Sequence, residues 1–167
     1  MDLIALLKTV VLCSISIVIE AVSATTEGKQ WFENLKRPKY SFSLSAWYFV
    51  GAAYYIIFGI VAYRQFASGT TIFSTSIILL ALVMIINGLT NFIVFKYHSL
   101  KWFYLIIYPF GFLLLALIIV LITLKDKVSA ALASVYFLWL VYDLYYGYNI
   151  WKLNENKMPP PTTLSGD

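Results

Sequence analysis

Five apolar stretches, each ended by charged or turn-forming residues, constrain this chain more than any other feature. They cover residues 3–22, 44–63, 72–95, 102–124 and 130–151. About 20 apolar residues suffice to cross a bilayer as a helix, and lipid admits only structures whose backbone groups pair internally. A transmembrane β-barrel needs alternating segments of about 10 residues, and these runs do not alternate. The expected fold is an all-α membrane protein, a bundle of five transmembrane helices within residues 1–157. Residues 158–167 read MPPPTTLSGD, polar and Pro-rich, and are expected to form a disordered tail. The first run reads as a retained span. Val22, Ser23 and Ala24 resemble a signal-peptidase site, but no basic residue precedes Lys8 and Glu20 falls inside the run.

Composition agrees. Hydrophobic residues make up 61% of the 167 and charged residues 12%, against about 45–50% and 25% in soluble domains. A water-soluble globule, a disordered chain and a nucleic-acid binder are excluded on these figures. The net charge of +4 is a property of loops. One set of alternate loops carries Lys29, Lys36, Arg37, Lys39, Lys96, Lys101, Lys152 and Lys157; the other carries Arg64, Lys125 and Lys127. The positive-inside rule then predicts a cytosolic C-terminus and a cytosolic loop before the second span. The single cysteine, Cys13, permits no intrachain disulfide and reads as a small packing residue.

Polar residues inside apolar runs are costly and face the bundle interior or a cavity. Asp143 lies in the fifth run, with Tyr136, Trp139, Tyr146 and Gly147 at helical spacing on its face. Either it anchors a ligand or handles a proton, or it makes a structural hydrogen bond to a Tyr or Asn. Asn87 and Asn91 are four apart, with His98 seven further on, so that all three are expected to project in similar directions; the asparagines suit bonding between helices, and His98 an interfacial place at the helix end. Glu20 is expected to reach the membrane interface. The single histidine and the lack of a Gly-rich phosphate loop leave no metal site or phosphate cradle to propose. Leu144, Tyr148 and Lys152 satisfy a loose sterol-contact pattern, and Pro109 is expected to kink the fourth helix.

Several of these residues fall into a known arrangement. WFENLKRP, with Trp31, Leu35 and Pro38, resembles the first-loop segment of the translocator protein / tryptophan-rich sensory protein family (TspO/MBR). Tyr40, Tyr55, Gly59, Asn87, Phe95 and Trp102 then match family positions in order. YFLWLVYDLYYGYNIWKLN, residues 136–154, resembles the family's last helix, with Tyr136, Trp139, Tyr148, Trp151 and Asn154 in register. The departures include Ser45 and Gly51 at the two tryptophans of the second helix, Gly88 and Thr90 at those of the third, and Gly147 at an asparagine of the fifth.

The resemblance implies a cavity among five helices, capped by the first loop, that binds flat apolar ligands such as porphyrins, sterols or isoquinolines. Trp31, Leu35 and Pro38 would form the cap. Trp102, Tyr136 and Trp139 would stack on a planar ring, with Asn87 and Asp143 orienting polar substituents and Gly147 beside them. Some bacterial members are reported to degrade porphyrin with cavity tryptophans; Trp139 stands at one such position and Gly51 at the other. The expected partners are the lipid bilayer and a hydrophobic small molecule, porphyrin or sterol, with no nucleic acid and no cofactor. A homodimer is one assembly open to the chain. Two other functions compete with ligand binding or translocation: a non-catalytic assembly or regulatory protein, and a membrane enzyme, porphyrin-modifying or isomerase, working through Asp143.

Overall fold

The computed structural model describes residues 2–23 and 25–155; the expected tail, 158–167, lies outside the described residues. The described residues form six helices, α1 (Leu3–Ser23), α2 (Thr26–Glu33), α3 (Leu44–Ala67), α4 (Thr75–Phe95), α5 (Leu100–Thr123) and α6 (Lys127–Leu153), and no strand. Five are long and apolar enough to cross a membrane. The sixth, α2, is a short helix inside the segment expected as a plain loop. Thr25 starts it, its hydroxyl accepting from the Gly28 N–H. A side-chain oxygen at this position satisfies one of the helix's free N–H groups, and the hydropathy that marks spans does not register so short a polar helix.

The same chemistry sets the other starts. Asp2, Ser43, Ser74 and Asp126 each accept a backbone N–H from the first turn of α1, α3, α4 and α6. Hence α4 begins at Thr75, after a Thr71–Ser74 turn, and α6 begins three residues earlier than its apolar run. Two turns close the other ends in a left-handed residue. Gly69 (φ 82°) follows α3 and Lys125 (φ 60°) follows α5, and in each the next residue's N–H returns to a carbonyl five residues back. Glycine takes that conformation freely; lysine pays for it.

The long helices pack in a closed ring: α1 on α4, α4 on α5, α5 on α6, α6 on α3, and α3 back on α1. Side chains such as Phe58, Leu80, Met84, Leu114 and Leu117 fill the interior. Outward positions carry Val10, Phe49, Ile56, Phe112, Ile119 and Leu138, all exposed. These are the lipid-contacting surfaces of an integral multi-pass membrane protein, since hydrocarbon solvates leucine as well as a protein core does.

At the end of the ring away from α2, Asp126 ties the α5–α6 turn to α3. It accepts from Arg64 Nη2 at 2.7 Å, Gln65 Nε2 at 3.1 Å and Ser129 Oγ at 2.6 Å. Burial alone would push the carboxyl up, but the bonds from Arg64 and Ser129 outweigh it and hold its pKa at about 2. A carboxylate with a depressed folded-state pKa stabilises the fold above its ordinary value and loses that contribution as pH falls from about 4 toward 2. Asp126→Asn keeps a capping side chain and loses the ion pair. It should lower stability by about 1 kcal/mol at pH 7, because Arg64 is half exposed. Thermal melts in detergent check this: the gap from wild type closes as pH approaches 2.

Candidate functional site

Beneath α2 lies a cavity of about 400 Å³, within the range of small-molecule sites, roughly 300–1,000 Å³. All six helices contribute to its wall. Trp47, Gly51 and Tyr55 come from α3, Asn91 and Phe95 from α4, Phe103 from α5 and Tyr146 from α6. Glu20 of α1 and Lys29 and Phe32 of α2 complete it. Space is open at Gly51, where an added Cβ would meet no atom within 4 Å. Gly51 lines the cavity and leaves it unobstructed on the α3 side.

The polar wall is built by three helices. Asn87 Nδ2 donates to Glu20 Oε1 at 2.6 Å and to Ser16 Oγ at 3.5 Å, and Tyr55 donates its hydroxyl to Ser16 at 3.2 Å. Glu20 therefore turns into the bundle and lines the cavity; it does not reach out to the interface as expected. Its neighbours explain the turn: α1 and α4 approach so closely at Gly88 that an added Cβ would lie 2.9 Å from Ile19 Cβ. This contact brings one face of α1 against the asparagine face of α4. His98, expected to project with Asn87 and Asn91, sits instead in the turn after α4 with φ 51°, its ring 4.6 Å from that of Trp31.

The cap is held from several sides. Gly28 packs so tightly that a Cβ would overlap the Phe95 carbonyl oxygen at the end of α4. Trp31 and Phe32 join Leu35, Leu100, Tyr146 and Ile150 in a separate apolar cluster, and Pro38 is buried. Asn154 clamps the chain after α2: its Oδ1 accepts from Lys36 N and its Nδ2 donates to Lys36 O, both at 2.9 Å. Farther along, the Tyr142 hydroxyl donates to the Tyr40 carbonyl at 3.0 Å.

The aromatic residues expected to stack on a ligand divide among three surroundings. Trp139 belongs to a cluster with Trp47, Phe42 and Tyr142, at ring separations of 5.6, 5.5 and 5.0 Å, and touches the cavity wall only through Trp47. Tyr136 is packed in the core between Tyr54, Phe58 and Phe110. Trp102 is 61% exposed on α5 and does not line the cavity. Asp143 is 9% exposed, and its Oδ1 has no hydrogen-bond partner among the described residues. Gly147 gives α5 a close approach, with Phe103 and Ile107 3.3 and 3.1 Å from where a Cβ would be.

The residues of the sterol pattern lie outside this cavity. Leu144 borders a shallower groove of about 180 Å³ between α5 and α6, with Gly111 and Phe112. Tyr148 is exposed beside Tyr104 and Trp151, and Lys152 lies 4.4 Å above the Trp151 ring and pairs with Glu155 at 3.3 Å.

Trp47, Phe103 and Tyr55 thus enter the wall without having been singled out as ligand contacts. Trp47 presents its ring to the wall, while its indole Nε1 is buried and without a partner among the described residues. Spacing did not mark its place, since Trp47 is displaced from both tryptophan positions of the family's second helix and its packing on Tyr146, at 4.8 Å, depends on how α3 meets α6. No metal-ligating group of three or more His, Cys, Asp or Glu occurs among the described residues.

None of the curated proteins is similar to this chain at a significant level. The profile of the TspO/MBR family matches residues 9–152, from the first turns of α1 to the last of α6. A ring of five membrane-spanning helices around a capped apolar cavity accords with that match, and the chain belongs to the TspO/MBR family.

Proposed function

We propose that this protein binds a flat hydrophobic molecule, a tetrapyrrole or a sterol, in the cavity under α2, and holds or passes it within the membrane. The cavity itself carries the reading. It is lined by Trp47, Tyr55, Phe95, Phe103 and Tyr146, and aromatic walls supply both apolar contact area and ring stacking. The same reading has the α2 end and the C-terminus facing the cytosol, supported by the excess of basic residues in those segments.

Titration of the purified protein with protoporphyrin IX and with cholesterol, followed through tryptophan fluorescence, tests the proposal. At least one should bind saturably at micromolar concentration. Gly51→Trp should weaken that binding at least tenfold by occupying the open space at Gly51. Saturable binding that ignores Gly51→Trp would move the site elsewhere, and the α5–α6 groove beside Leu144 would be the next place to look. If neither compound binds, the assembly reading takes precedence.

A further inference from the structure

The cavity has one carboxylate in its wall, and the protein supplies it with no cation. Glu20 Oε1 is taken by the Asn87 amide. Its other polar neighbours, Tyr55, Asn91 and Ser16, are neutral donors, and the ion pairs among the described residues are Arg64–Asp126 and Lys152–Glu155, both far from Glu20 in the chain. Lys29 also lines the cavity, but it is exposed on α2 and lies beyond ion-pair distance. A charged group inside a membrane protein is expensive unless paired, and a carboxylate held only by neutral donors in such a wall is therefore a place where a ligand can contribute the missing charge.

Resting on the proposed ligand cavity, we infer that Glu20 selects among the flat apolar molecules the cavity admits, so that a sterol binds through the walls alone and a ring of like shape carrying a protonated amine binds more tightly. A charge-assisted N–H···O bond is about twice as strong as a neutral one. The rings of Tyr55, Trp47 and Phe103 around the same space favour a cation over their faces. The Asn87 bond orients the carboxylate, and Asn91, one turn on and also in the wall, leaves the charge unneutralised. A neutral alcohol of the same shape would gain the walls without the ion pair. An anion would meet repulsion from Glu20.

Three fluorescent probes share one flat ring system: 1-pyrenemethylamine, 1-pyrenemethanol and 1-pyrenecarboxylate. In nanodiscs of zwitterionic lipid, with empty nanodiscs subtracted, the amine should bind wild type at least tenfold tighter than the alcohol, with the carboxylate weakest. Glu20→Gln keeps an acceptor for Asn87 and should bring amine and alcohol to within twofold of each other. Asn91→Lys, which gives Glu20 an internal partner, should remove the preference in the same way. Equal binding of amine and alcohol to wild type overturns the inference even if Glu20→Gln fails to fold, and leaves the ligand cavity standing. A preference that persists in both variants overturns the role of Glu20. If none of the three probes binds wild type more tightly than it binds Gly51→Trp, the cavity reading falls with it.

Discussion

Gly88→Trp should yield no folded protein, while Gly51→Trp should fold normally and lose its ligand. The TspO/MBR resemblance puts tryptophan at both positions, so a substitution toward the family should have opposite outcomes at two glycines. At Gly88, even a methyl group would stand 2.9 Å from Ile19 Cβ and 3.3 Å from the Ser16 carbonyl oxygen. An indole there must push α1 off α4, breaking the bonds from Asn87 to Glu20 and Ser16. Overpacking by a few methylenes costs about 1–3 kcal/mol, and a whole indole wedged between two helices should exceed that. At Gly51 an added Cβ meets no atom within 4 Å and the cavity lies beside it. Detergent-solubilised yield, size-exclusion profile and thermal melting of the two variants decide the matter. A well-folded Gly88→Trp would mean that α1 does not pack on α4 as described.

Asn154→Ala should release the cap. The Asn154 side chain is 1% exposed and makes three hydrogen bonds, two with Lys36 and one to the Ile150 carbonyl. At about 1 kcal/mol net for each, and allowing water to replace part of the bonding at exposed Lys36, the loss is about 2 kcal/mol. Much of it should appear locally, as opening of residues 34–43, because α2 and its loop pack on the ring at one end only. Trypsin should then cut after Lys36 and Lys39 several-fold faster than in wild type, and a bound ligand should leave faster. Asn154→Asp makes a useful companion: it retains an acceptor for Lys36 N but loses both amide donors, so its protease sensitivity should fall between the two. Cleavage rates equal to wild type in Asn154→Ala would show that Trp31, Leu35 and Pro38 hold the cap without the clamp.

The site was only partly legible in the sequence. Asn87 stood out because an amide in an apolar run needs a partner, and it has two. Its partner Glu20 was visible as a charge but not as a wall residue, because a position one turn from a helix end suits the interface as well as the interior. Trp139 and Tyr136 were visible as aromatics on the Asp143 face. Yet Tyr136 is absorbed into the core by Tyr54 and Phe58, and Trp139 is covered by Phe42 and Trp47. Trp102 keeps the family position while facing outward. Helical spacing tells which residues share a face, and not which neighbour that face meets.

Sequence alone determined that this chain lies in a membrane as five helices. Runs of about twenty apolar residues have no other stable way to satisfy their backbone in lipid, and that argument needs no knowledge of neighbours. The tertiary structure alone decided the closed order of the ring, the helix in the first loop, and which glycine opens a cavity and which closes a contact. Between helices in lipid the discriminating energies are close packing and single hydrogen bonds. Those depend on helix rotation to within a side chain, as with Glu20 meeting Asn87, and hydropathy carries no record of it.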